Sequence, residues 1–479
     1  LGFLEVLLTF ITNRKWDKHF AYLIYFLFSL KAGVLAWPYF WWHLKRRGQG
    51  ESFFPRLGLR LPAGELPAGS PRLWIHGVSV GEVMSALPLV EELKKLLPRA
   101  AFLITTGTET GQALAHRQFA PHGAYVCYFP LDIPWAVHRY LDHLRPDVFI
   151  ALESELWPNF LLSARRRGVR LALLNARLSE KSFARFSLFK GYVVELFNLF
   201  EVIAAGSPQD YARLCALGLS EDQVVMAGNL KIDRLLGLRT KAVSSTLLST
   251  APRTARGENS ATEALSASMP GDLREALNLE GQPVFLAAST HPGEDEAVIE
   301  AFEQLLGPYP SLVLLLAPRH PQRAAEVGRL LRQRGLAFQL WHRLKAGQET
   351  RTQPVVVVDT IGDLLGLYGV ADVAFVGGSL VPHGGQNLLE PAAWGVAPLY
   401  GPHVGNFLWA KDILDAARAG ITVHDALTMA VAVRNLLDHP DLRREMGARA
   451  LAALAPHQGA AARQARLIVK MLCGGPTGA

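Results

Sequence analysis

Residues Trp74–Leu97 read WIHGVSVGEVMSALPLVEELKKLL, and the pattern of this stretch decides the fold. A short apolar run, Leu73–Ile75, reads as a strand; a loop with Gly77 and Gly81 follows, then an amphipathic helix. Val83, Ala86, Leu87, Val90, Leu93 and Leu97 recur at three- and four-residue steps, the spacing of one apolar helical face. Glu82 opens that helix just after a glycine. A carboxylate there is favoured by unpaired N–H groups and by the helix dipole. It also lies off the carboxyl end of a strand, where open α/β sheets place their chemistry. A helix-starting glutamate with no other duty fits the same residues, so the rest of the chain has to decide.

Outward from this stretch, strands and helices alternate. Apolar runs at Ala101–Thr105, Tyr125–Tyr128, Val148–Leu152, Leu171–Asn175, Val202–Ala205 and Val224–Ala227 predict strands covered on both faces. A second series follows at Val284–Ala287, Leu312–Ala317, Val355–Val358, Val373–Val376 and Pro398–Tyr400. Between them, Leu238–Gly271 turns to Ser, Thr, Ala and scattered charge, the composition of a linker. The pattern predicts an α/β protein of two doubly wound domains facing a cleft, over 49–236 and 276–479, with a linker at 237–275 and helices in the last stretch.

Composition narrows the partners. The 479 residues are half hydrophobic and carry a formal charge of +7, which favours anionic ligands or surfaces. Nucleic acid is disfavoured, because no basic run is interleaved with aromatics. The three cysteines, Cys127, Cys215 and Cys473, are too scattered for a disulfide framework or a zinc site. Phe20–Trp42 is apolar apart from Ser29 and Lys31, has aromatics at both ends and precedes Lys45, Arg46 and Arg47. Its length suffices to cross a bilayer, while Lys31 and Pro38 fit equally a helix lying in the interface. Residues 1–48 are therefore expected to associate with a membrane, and Phe53, Phe54, Arg56 and Arg60 to continue a lipid-facing surface.

Neither domain carries a dinucleotide fingerprint or a phosphate-loop lysine. The glycines 377–378 and 384–385 follow an apolar strand, and Gln386–Pro391 opens a helix, which together predict an anion site. Arg319 ends another strand and is placed to meet a phosphate. Histidines 291, 320, 383 and 403 lack metal-site spacing.

Taken together, His76–Glu82 (HGVSVGE), Glu153–Asn159 (ESELWPN), Asn175–Ser179 (NARLS), Gly228–Asp233 (GNLKID), Ser289–His291 (STH), Pro318–His320 (PRH), Phe375–Leu380 (FVGGSL) and Gly385–Glu390 (GQNLLE) resemble the 3-deoxy-D-manno-octulosonic acid (Kdo) transferases. The resemblance implies a GT-B fold, a CMP-Kdo donor, a lipid A precursor as acceptor, and work at the cytoplasmic face of the inner membrane of a Gram-negative cell. It implies Glu82 as general base, and Glu153 and Lys231 as supports of the transition state. It implies Pro318, Arg319, Ile361, Gly362, Asp363, Asn387, Leu388, Leu389 and Glu390 as the CMP-binding set, with neither metal nor cofactor. Glu155 competes with Glu153 for its role, and Glu153 also fits a structural pairing with Arg177. A GT-B enzyme using a UDP-sugar and an inactive nucleotide-sugar-binding protein are the rival readings.

Overall fold

The computed structural model describes residues 25–26, 29, 52–248 and 270–474. They form two compact units. The first holds the described residues up to Arg234 together with those from Gly459 onward. Its sheet comprises β1 (Arg72–His76), β2 (Ala101–Thr106), β3 (Tyr125–Tyr128), β4 (Val148–Leu152), β5 (Arg170–Ala176), β6 (Val202–Ala205) and β7 (Val224–Met226). The strands are parallel in the order β3-β2-β1-β4-β5-β6-β7. The order reverses beside β1, where Ile75 stands opposite Ile150 and His76 opposite Ala151. That reversal opens a crevice at the strand ends, and Glu82 and Glu153 follow its two walls.

Continuous apolar runs are what such a sheet requires, because both faces are covered by helices. Trp74 and Phe149 point to one side, against Phe129 and Phe160. Leu73, Ile75, Val148 and Ile150 point to the other, against Val83, Ala86, Leu89, Val90 and Leu93 of the helix Val80–Leu96.

The second unit, Leu235–Gln458, repeats the plan. Strands β8 (Val284–Thr290), β9 (Val313–Pro318), β10 (Phe338–Leu340), β11 (Val355–Val357), β12 (Val373–Val376), β13 (Pro398–Tyr400) and β14 (Ile421–Thr422) lie parallel in the order β10-β11-β9-β8-β12-β13-β14. The sequence pattern misses β10 and β14, which are three and two residues long and lack full burial. Edge strands of that length leave no periodic signal.

Three expectations need correction. The helix Ala460–Leu472 does not stay with the second unit; its Ala461, Ala465, Ile468 and Met471 are buried in the first unit's core. The stretch 237–275 is not linker throughout: 237–248 continue the helix Leu230–Leu248, and Pro270–Ala276 is helical; 249–269 lie outside the described residues. Phe53 and Arg56 do not face lipid. Phe53 packs with Leu57, Ile133 and Ala136, and the Arg56 guanidinium donates to the Phe129 and Gly107 carbonyls at 3.1 Å each.

The apolar stretch 20–42 lies outside the described residues except for Tyr25, Phe26 and Ser29. The Tyr25 hydroxyl donates to Asp132 Oδ2 at 2.8 Å, and Ser29 Oγ accepts from Asn159 Nδ2 at 2.9 Å. Two polar groups of that stretch thus meet the first unit. Among the described residues no helix is long and apolar enough to cross a membrane.

Candidate active site

In the first unit the predicted residues converge. Glu82 sits in the first turn of Val80–Leu96, after the extended Ser79. Its Oε2 accepts from the Val78 backbone N–H at 2.7 Å and its Oε1 from the Ser79 hydroxyl at 2.8 Å. Gly77 makes room for it: a Cβ there would stand 3.0 Å from the Glu82 Cβ. At a helix start two opposing tendencies act on this carboxyl, and the structure decides between them. Burial, reinforced by the charge of Glu153, raises its proton affinity above the usual carboxylate value; Val78, Ser79 and Lys231 oppose without reversing it. A carboxylate with raised affinity is a stronger base.

Glu153 leaves β4 in the left-handed region, with φ of 66°. Its Oε1 lies 2.5 Å from Lys231 Nζ, and a Cβ on Gly81 would stand 3.9 Å from Lys231 Cε. Lys231 is therefore not a solvated surface lysine. It stands in the first turn of Leu230–Leu248, held by a polar scaffold. Asn175 Oδ1 accepts from Leu230 N at 2.9 Å, and Asn229 Oδ1 from Lys231 N at 2.9 Å. Gln464, fully buried on the C-terminal helix, accepts from Asn175 N at 3.0 Å and donates to the Gly228 carbonyl at 2.8 Å. Asp233 caps that helix through Gly459 N at 2.6 Å and Ala461 N at 2.8 Å.

Two neighbours complete the cluster: Glu155, expected only as a competitor for the role of Glu153, and His76, which carries no predicted role. Glu155 accepts from Trp157 Nε1 at 2.7 Å, and His76 Nε2 faces its Oε2 at 3.9 Å. His76 is fully enclosed, stacked on Phe129 with ring centroids 3.9 Å apart. The HGVSVGE and ESELWPN stretches contain both residues, but spacing along the chain does not show that they meet.

In the second unit the predicted residues follow three strands, β11, β9 and β12, at their carboxyl ends, with β8 lying between β9 and β12. Pro318 ends β9, and Arg319 N donates to the Thr290 carbonyl at 2.9 Å. The Arg319 side chain is exposed and makes no hydrogen bond or ion pair among the described residues. Ile361 and Gly362 form an exposed tip, Gly362 with φ of 101°. The Asp363 carboxylate is turned inward, accepting from Trp341 Nε1 at 3.0 Å, Thr360 Oγ1 at 2.6 Å and Lys345 Nζ at 2.6 Å. Those donors hold it below the usual carboxylate range despite burial. Leu388 and Leu389 are buried completely, so only their backbone groups can meet a ligand. Asn387 Nδ2 donates to Glu390 Oε1 at 3.3 Å.

The glycine-rich loop corrects one expectation. Its amides do not stand open for an anion. The fully buried Glu294 accepts from Gly378 N at 2.6 Å, Ser379 N at 2.9 Å and Leu380 N at 2.8 Å, and also from His291 N at 2.9 Å. A protein carboxylate already fills the nest. Gly377 allows the loop to close onto β8, since a Cβ there would lie 2.5 Å from the Ser289 carbonyl oxygen. His291 stacks on His383 with centroids 4.4 Å apart, and His320 stands edge-on to His291 at 6.3 Å. Among the described residues no group of three or more His, Cys, Asp or Glu is arranged to hold a metal ion.

Comparison with known proteins adds an independent line. A family model described as 3-Deoxy-D-manno-octulosonic-acid transferase (kdotransferase) matches residues 51–234. The 3-deoxy-D-manno-octulosonic acid transferase of Haemophilus influenzae is 33% identical over 391 residues, covering 81% of this chain and 84% of that protein. The protein of the same name from Bordetella pertussis is 34% identical over 445 residues, covering 90% and 94%. Among solved structures, the UDP-GlcNAc 2-epimerase from Neisseria meningitidis superposes with a TM-score of 0.56 at 13% identity, over 84% of this chain and all of that one, a likeness of fold alone.

Proposed function

Since the chain belongs to the 3-deoxy-D-manno-octulosonic acid transferase family and is a glycosyltransferase, we propose that it moves Kdo from CMP-Kdo to a hydroxyl of the lipid A precursor, with Glu82 as general base. The acceptor O–H bond breaks and its proton passes to Glu82. The freed oxygen pair forms a bond to the anomeric carbon of Kdo. The bond from that carbon to the CMP phosphate oxygen breaks, and its electrons leave on the phosphate. The observation that carries this reading is the setting of Glu82: ordered by Val78 and Ser79, and raised in proton affinity by burial. General-base assistance of this kind contributes about 10²–10⁴ in rate.

Lys231, held against Glu153, supplies the nearby positive charge for the transition state. On the donor side, the exposed Arg319 guanidinium is the cation for the CMP phosphate. The tip at Ile361 and Gly362 and the turn Asn387–Glu390 offer backbone groups to the nucleotide, while Asp363 holds its loop from within. A single phosphate needs no metal clamp beyond such protein cations. The apolar stretch in residues 1–48 supports a place at the inner membrane, where the acceptor's sugar head meets the cytoplasm.

The test is transfer from CMP-Kdo onto lipid IVA with mass analysis of the product, for the full chain and its Glu82→Gln variant. Addition of Kdo by the wild type and its loss in the variant is expected. Transfer from UDP-sugars in place of CMP-Kdo, or full activity of Glu82→Gln, overturns the reading.

A further inference from the structure

The confrontation of His76 with Glu155 is left unused by this mechanism. His76 Nδ1 lies 3.1 Å from both the carbonyl oxygen and the hydroxyl oxygen of Thr105, and that hydroxyl already accepts from Trp74 Nε1 at 2.8 Å. A bare Nδ1 would set its lone pair against the carbonyl's, so the hydrogen is assigned to Nδ1. Nε2 is then a bare lone pair. It is buried and has no hydrogen-bond partner among the described residues. It faces Glu155 Oε2 at 3.9 Å. Were Glu155 ionised, a lone pair would look at a carboxylate inside the protein, and both would go unanswered from that side. A proton on Glu155 removes that repulsion and turns a donor toward Nε2, across a gap longer than a direct hydrogen bond.

We propose that Glu155 serves the acceptor site as an undissociated carboxylic acid, its O–H turned toward the Nε2 lone pair of His76, so that among the described residues Glu82 is the one ionised carboxylate of the cluster held in no salt bridge. Glu155 is thereby a positioning residue, acting through Glu82, and the inference rests on the reading of Glu82 as base.

The surrounding charges agree with this placement. Glu82 reaches Glu155 from the helix Val80–Leu96, Glu153 from the end of β4, and Lys231 is already engaged by Glu153. Burial and the charge of Glu82 push Glu155 up to about 7, with Glu153 adding and the Trp157 N–H opposing. The proton does not rest on the imidazole, because full burial, with Arg56 behind it, drives His76 down to about 3 against the pull of Thr105. An ionised Glu155 would leave three carboxylates sharing one ammonium. Added negative charge there would oppose both the anionic donor and the charge developing on the acceptor oxygen. A neutral Glu155 removes a charge that would hold a proton on Glu82, so Glu82 stays ionised and free to accept the proton of the acceptor hydroxyl.

The pH dependence of kcat/KM for CMP-Kdo and lipid IVA tests this in the full chain, with Glu155→Gln and Trp157→Phe beside the wild type. The wild type is expected to lose activity on an alkaline limb near neutrality. Glu155→Gln should lack that limb, with less than about tenfold loss on its acid side. Trp157→Phe removes a donor that favours the ionised form, so its limb should move to higher pH. Infrared spectra of the unliganded protein should show a protonated-carboxyl C=O band that fades through the same pH range and is absent from Glu155→Gln. An alkaline limb unmoved in both variants, or no titrating band in the wild type, overturns the proposal. The infrared reading needs no turnover, so it stands or falls apart from Glu82→Gln, which tests the base. Should Glu155→Gln not fold, the wild-type band and the Trp157→Phe limb still decide.

Discussion

Lys231 Nζ lies 2.5 Å from Glu153 Oε1, and the backbone that presents Glu153 adopts φ of 66°. A non-glycine residue in the left-handed region costs on the order of 1 kcal/mol, and such strain gathers at functional sites. Lys231 also lowers the proton affinity of Glu82. In Lys231→Met that pull is lost, so Glu82 holds its proton to higher pH and the acid limb of kcat/KM moves up. Activity at neutral pH should fall about 10²-fold or more, the cost of one preorganised charge. A pH–rate profile checks both.

Glu294 answers four backbone N–H groups, those of His291, Gly378, Ser379 and Leu380. Glu294→Ala leaves buried donors unanswered, at about 1–3 kcal/mol for each one that finds no water. The variant should unfold at clearly lower temperature, and CMP should no longer stabilise what remains folded. Thermal melts with and without CMP measure it. An unchanged melting temperature would show that the loop stands without its carboxylate.

Gln464 reaches Lys231 only indirectly. Gln464→Leu keeps the apolar packing of the C-terminal helix but orphans Asn175 N and the Gly228 carbonyl. It should destabilise by about 2 kcal/mol. It should also lower kcat more than it raises KM, because the turn carrying Lys231 loses its support. Steady-state kinetics on the folded variant separate the two effects.

Glu155 also links stability to pH. Its folded value, about 7, lies above the ordinary 4.5, so between those values the folded state binds more protons than the unfolded one. The stabilising contribution is full below the lower value and is lost as pH rises through the upper. Relative to Glu155→Gln, the wild type should lose on the order of 3 kcal/mol across that window and be level above it. Denaturant titrations of both proteins at several pH values give the difference.

Much of the fold was legible because its signals are local. Twelve strands announce themselves as apolar runs, since a parallel sheet covered on both faces needs nothing else. The positions of Glu82, Glu153 and Arg319 just past strand ends follow from the same pattern. The short, partly exposed strands Phe338–Leu340 and Ile421–Thr422 had no such signal. The glycine-rich loop misled because Glu294, 84 positions from Gly378, is what fills its amides.

The sequence by itself therefore determined two α/β halves and the residue types at their strand ends, because periodicity is written in neighbouring residues. Tertiary structure alone decided that Asp233 caps a helix whose N-cap, Gly459, lies 226 residues later, that Glu82 gains rather than loses proton affinity, and that His76 meets Glu155. Those outcomes depend on which distant groups share one low-dielectric space, and burial with its charges is a property of the closed chain.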